Sequence, residues 1–222
     1  MSYIFSSILL AIVFEAMLRL RLNSTEYRAR IVETVFALGI GLSAIVSLLL
    51  NRKSGIFSPN ETGAFGRQTL LIALGFFIYH LHRVIFIKGF TRSLIVHHVG
   101  MILCLLFGLI TETAHFYILL ASIPITSAAM RNFRWFWKSN NKPRWENRAF
   151  AVAISYVLFE SVPPLFAVGH FFTVGMNSMN LTRAHWVFLI VPGLILSLLT
   201  FYWSYVFLKK TLFVARDSSS LA

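Results

Sequence analysis

Seven apolar stretches, near residues 2–18, 32–50, 68–87, 94–111, 113–130, 149–169 and 186–208, divide this 222-residue chain. Each is close to the ~20 residues that a helix needs to cross about 30 Å of hydrocarbon. The connections between them alternate in charge. Sixteen of the twenty Lys and Arg residues fall on connections one, three and five and on the C-terminal tail, while the opposite side carries only Arg52, Lys53, Arg67 and Arg183. The positive-inside rule then predicts an all-α polytopic bundle of about seven transmembrane helices. The tail and the 131–148 connection lie on the cytoplasmic or matrix side, with Met1 on the far side.

Composition points the same way, because a chain with 57% hydrophobic and 13% charged residues cannot clothe a water-soluble surface. The net charge of +12 sits in short connections beside apolar helix ends. There anionic lipid headgroups are the nearer partner, at about 1 kcal/mol per cation, and no nucleic-acid role is expected. The single cysteine, Cys104, lies inside the fourth stretch and excludes an intrachain disulfide. Glu15 interrupts the first stretch and no basic segment precedes it, so this helix is expected to stay as an anchor rather than be removed as a leader. The chain reads as one transmembrane domain, 1–222.

Thr111 and Glu112 alone separate stretches four and five, which predicts a tight antiparallel helical hairpin. Pro124, Pro163, Pro164 and Pro192 fall inside stretches five to seven. Each removes a backbone donor and crowds the preceding turn, so these helices are expected to be distorted around a pocket or polar cavity.

Ionisable groups inside the stretches are candidates for function, since a charge in hydrocarbon costs about 3 kcal/mol on the insertion scale. Glu15 stands four residues before Arg19 and reads as an i,i+4 pair. Glu160 follows Arg148 by twelve residues, roughly 18 Å along a helix, with no cation of its own helix in reach. It must find a polar partner on another helix, be protonated, or line a wet cavity. His80 and His82 end the third stretch and His97 and His98 begin the fourth, all toward the basic side. One inward imidazole suffices for general acid/base work. A metal site needs three or four inward ligands, and none is expected.

Five segments in order, GFFIYHLHRV, LIVHHVGMILCL, PITSAAMRNFRWFW, VLFESVPPLF and LLTFYWSYVFLKK, resemble the TLC-domain family. That family includes ceramide synthases, translocon-associated membrane proteins and small lipid-regulatory proteins. The likeness covers about 65–210, with stretches 2–18 and 32–50 preceding it. Family members commonly carry an acidic residue where His80 stands, another around Ser122 to Thr126, and Arg where Glu160 stands; this chain differs at all three places.

The resemblance implies a seven-helix bundle with a central cavity, lined here by His80, Glu160, Ser122, Thr126 and Tyr202. His97 and His98 are the positions onto which a synthase catalytic pair would fall. Arg131, Arg134, Lys138 and Arg144 are the expected contacts for anionic headgroups or for the phosphates of an acyl-CoA. The leading expectation is a lipid- or acyl-chain-binding protein of membrane lipid homeostasis, holding phospholipid or acyl-CoA. The alternatives are an acyl-CoA-dependent acyltransferase and an accessory subunit bound to other membrane subunits, such as those of a respiratory complex. The endoplasmic reticulum is the expected membrane, with the mitochondrial inner membrane as the alternative.

Overall fold

The computed structural model describes residues 2–50, 63–86, 92–139 and 145–219. They form seven helices. Four are α1 (Ser2–Arg19), α2 (Thr25–Leu50), α3 (Ala64–Phe86) and α4 (Arg92–Thr111). Helix α5 joins His115–Ser122, the 3-10 turn Ile123–Ile125 and Thr126–Ser139. In α6, Trp145–His170 continues through the π turn Phe171–Gly175 into Met176–Ser178; in α7, Arg183–His185 and the π turn Trp186–Ile190 lead into Val191–Ser219. Five helices, α2, α3, α4, α6 and α7, are long and apolar enough to cross a membrane. The chain is a multi-pass integral membrane protein.

Prolines accompany two of the three irregular turns, and the π turn of α6 has none. Pro124 sits in the 3-10 turn of α5, and Pro192 stands two residues after the π turn of α7. A proline cannot donate to the preceding turn, and these turns re-route the carbonyls it leaves over. Pro163 and Pro164 lie inside the α-helical part of α6.

Leu10, Leu42, Ile110, Leu165 and Leu198 are all at least half exposed on the outside of the bundle, where lipid tails meet them. Lipid is as apolar as these side chains, so hydrophobic burial gives little drive for helices to associate; close packing and polar contacts must supply it. Helix α1 is held to α3 in both ways. A Cβ at Gly75 would lie 2.6 Å from the Ile4 carbonyl oxygen, and only glycine admits so near an approach. Ser7 donates to the Ile72 carbonyl at 3.0 Å. At the other end of the pair the Glu15 carboxylate meets the Arg83 guanidinium and accepts from the Tyr79 hydroxyl at 2.6 Å. The partner of Glu15 is thus on α3. The expected i,i+4 pair with Arg19 is replaced, because Arg83 reaches the carboxylate in a largely buried place that Arg19, on the exposed helix end, does not.

Arg28 folds back on the α1–α2 connection, donating to Leu22 O and to Asn23 O, the latter at 3.0 Å, while Ser24 Oγ caps α2 by accepting from Tyr27 N–H at 3.2 Å. The α4–α5 connection is the tight one expected. Glu112 and Ala114 adopt positive φ (54° and 57°), and the buried His115 donates Nε2–H back to Gly108 O at 3.0 Å.

The Thr126–Ser139 part of α5 carries polar groups on its buried side. Asn132 is fully buried against α2: its amide nitrogen donates to Glu33 Oε2 at 2.9 Å, and its oxygen accepts from Arg30 Nη1 at 3.0 Å. Farther up, a Cβ on Gly41 of α2 would collide with Thr126. Helices α6 and α7 pack through a stacked Tyr156–Phe207 pair with centroids 4.1 Å apart and a Ser161–Ser204 hydroxyl contact of 2.8 Å.

Candidate functional site

Helices α2 to α7 converge on a cavity of about 160 Å³. Its wall is polar toward one end, where Glu33, His80, His97, His98 and Arg131 stand, and apolar beyond Met101 and Cys104 toward Phe171, Leu189 and Ile190. Lining residues run from Leu94 to Cys104 on α4 and from Leu189 to Trp203 on α7. These stretches correspond to roughly 15 and 21 Å of helix axis. The cavity is long and narrow.

Its polar end is a continuous network. His98 is buried and its Nδ1 lies 2.7 Å from Leu94 O, the carbonyl one turn back on its own helix. A carbonyl only accepts, so Nδ1 carries the proton and the Nε2 of the neutral ring is an acceptor. That Nε2 is 2.6 Å from His80 Nδ1, so His80 donates there, and the two rings stack with centroids 4.8 Å apart. Both nitrogens of His98 are engaged. The far nitrogen of His80, Nε2, lies 3.9 Å from Glu33 Oε1, and that oxygen accepts from Arg131 Nη2 at 2.8 Å. His97 packs edge-on to Trp203, 5.1 Å between ring centroids, and its buried Nδ1 has no hydrogen-bond partner among the described residues.

Glu160 is 3% exposed, lines the same cavity and accepts from the Ser127 hydroxyl of α5. Ser127 and Arg131 are four residues apart on α5 and therefore share a face. The cavity side of α5 thus presents a hydroxyl and a guanidinium toward α6 and α2.

His80, His97, His98 and Glu160 all line this cavity. Three other expected lining residues do not. Ser122 is fully buried but donates back to Ile118 O at 2.8 Å; Thr126 is turned toward Gly41 of α2; Tyr202 is 60% exposed on the outer surface. In two cases the neighbour in sequence takes the position, Ser127 for Thr126 and Trp203 for Tyr202, since one residue turns a helix by about 100°. Arg131 lines the cavity as the ion-pair partner of Glu33, and the Arg134 guanidinium lies 5.7 Å over the Phe207 ring. The Lys138 side chain and Arg144 fall outside the described residues.

Glu33, Ser127 and Trp203 are among the site residues that the sequence did not single out. A signal existed for Glu33. It opens the second apolar stretch one residue inside its edge, three residues after Arg30, a place where a carboxylate needs a partner. Among the described residues no group of three or more His, Cys, Asp or Glu side chains is placed to hold a metal ion.

No family model, curated protein or solved structure matches this chain. The fold and cavity alone define its class: a multi-pass membrane protein of helical architecture with a cavity among its helices.

Proposed function

We propose that this protein binds an acyl chain in its intramembrane cavity and acts in membrane lipid homeostasis, as a divergent TLC-like bundle. The observation that carries the reading is the division of the cavity wall. A polar end at Glu33, His80, His97 and Arg131 continues into an apolar slot past Met101, Cys104 and Leu189, as an amphiphile needs. About 160 Å³ is the size of hole that takes one benzene-like group. The site therefore seats part of a single chain, not two chains side by side. In this reading the positive-inside rule puts the polar end toward the cytoplasm or matrix, with the endoplasmic reticulum as the first membrane to examine and the mitochondrial inner membrane as the second.

Native mass spectrometry of the detergent-purified protein tests this. The wild type should carry a co-purifying lipid or fatty acyl species. Ala167→Trp, which puts an indole into the cavity wall, should lose it while keeping its helical content. Wild-type protein that emerges bare, or as one member of a larger complex with no bound lipid, would count against lipid binding and for the accessory-subunit alternative.

Acyl transfer is a second reading, supported by the Nδ1 of His97 at the cavity, which has no hydrogen-bond partner among the described residues. His98 has both nitrogens engaged by Leu94 O and His80, so the task of general base would fall to His97. Acyl-CoA turnover that His97→Ala abolishes and His98→Asn only reduces would establish it; absence of turnover in the wild type with a panel of acceptor amines and alcohols would remove it.

A further inference from the structure

One carboxylate oxygen, Glu33 Oε1, has two basic groups converging on it from different helices. Arg131 Nη2 approaches from α5 at 2.8 Å and His80 Nε2 from α3 at 3.9 Å. The other oxygen, Oε2, is occupied by Asn132 Nδ2 at 2.9 Å. The orientation of His80 is fixed from behind. Leu94 O holds the proton of His98 on Nδ1, which makes His98 Nε2 an acceptor and obliges His80 to donate from its own Nδ1. In its neutral form His80 therefore carries its proton on the side away from Glu33. The lone pair of Nε2 then faces the carboxylate.

We propose that His80 Nε2 is a proton-binding site, positioned by His98, at which an added proton competes with Arg131 for Glu33 Oε1. The proton comes from hydronium reaching the cavity: one of its O–H bonds breaks, water is left, and an N–H bond forms at the Nε2 lone pair. His80 then bridges His98 and Glu33 as an imidazolium. Glu33 and Arg131 together carry no net charge, and the added proton leaves the cluster with one positive charge. As His80 takes a share of Oε1, the guanidinium of Arg131 is released toward the cavity it lines. Protonation thus makes the polar end of the cavity more attractive to an acidic head group.

The charged and titratable groups around this point come from six helices. They are Glu33 and Arg30 on α2, Arg83 on α3 held by Glu15 of α1, His97 and His98 on α4, Arg131 on α5 and Glu160 on α6. Arg83 and Arg30 have their own carboxylates, and Glu160 has the Ser127 hydroxyl. Among the described residues, Glu33 is the carboxylate paired with His80. The proposal goes beyond lipid binding and does not depend on it.

Solid-state NMR of the full-length protein, labelled with ¹⁵N-histidine in phosphatidylcholine bilayers, reads each ring nitrogen directly, with His80→Gln used to assign the His80 signals. As the pH is lowered from about 8 to about 4, a range wide enough for an imidazole held among both a carboxylate and a guanidinium, His80 Nε2 should pass from non-protonated to protonated while His98 keeps its proton on Nδ1. At fixed pH, Glu33→Gln should lower the imidazolium-to-neutral ratio of His80 by about tenfold or more, and Arg131→Gln should raise it by a similar factor. The proposal is overturned if His80 Nε2 stays unchanged across the range, if the proton appears on His97 or His98 instead, or if the two variants shift the ratio in the same direction. The wild-type titration decides even where one variant does not fold.

Discussion

The Ser127 hydroxyl donates to the Glu160 carboxylate across the α5–α6 boundary, and both residues are at most 4% exposed. A buried acceptor that loses its donor keeps the full cost of its desolvation. Ser127→Ala is therefore expected to destabilise the bundle by about 1–3 kcal/mol, and Ser127→Thr, which keeps the hydroxyl, by clearly less. Reversible denaturation in mixed micelles, followed by circular dichroism, checks the order. Equal losses in the two variants would mean that packing, not the hydrogen bond, holds this place.

The Glu15–Arg83 contact makes a second prediction. Both side chains are only 12–13% exposed, and removing one partner of such a pair leaves a charge with poor solvation. Arg83→Leu should cost about 2 kcal/mol or more and loosen α1, whereas Arg19→Leu should stay within about 0.5 kcal/mol. Limited proteolysis of the α1–α2 connection, together with thermal unfolding, distinguishes the two. An Arg19 variant as damaging as the Arg83 variant would restore the i,i+4 pairing that the sequence suggested.

Asn132 ties α5 to α2 through Glu33 and Arg30, and Arg131 adds its ion pair to the same carboxylate. Residues in one network do not contribute additively. A double-mutant cycle of Glu33→Gln and Asn132→Ala should show a coupling of about 1–3 kcal/mol, measured by the same unfolding assay. Additive losses would show that the seam is two independent contacts.

Orientation is predicted by the distribution of Lys and Arg. A reporter after Ala222 should read out on the cytoplasmic or matrix side, and one inserted within 54–64 on the opposite side. Both reporters on one side would instead fit crossings by α2, α3, α4, α6 and α7 alone, the five helices long and apolar enough to span, and would end the seven-span reading of the sequence.

Much of the helical organisation was legible in the sequence, because spans of apolar residues and their flanking charges are local signals. The gathering of His80, His97, His98 and Glu160 was legible for the same reason: a charge or imidazole inside an apolar run has few places to go. What failed was rotation and pairing. Thr126 and Ser127 differ by one step on α5, as Tyr202 and Trp203 do on α7, and the 3-10 turn at Ile123–Ile125 alters the helical phase just before Thr126. Periodicity carried across that turn cannot say which of the two neighbours looks inward. Glu15 met Arg83 rather than Arg19, and Glu33 met Arg131 and His80. Those partners lie on other helices, and no spacing within one helix reveals them.

The central claim, that the cavity holds an acyl chain, is tested most directly by photo-crosslinking. Bilayers containing a fatty acid with a photoreactive group near its methyl end would be irradiated with the intact protein, and the labelled residues mapped by peptide mass spectrometry. The account predicts adducts on the cavity residues Met101, Cys104 and Phe171, competed away by excess unreactive fatty acid and lost in Ala167→Trp. Adducts confined to outward-facing residues such as Ile110, Leu165 and Leu198, and insensitive to competitor, would contradict it.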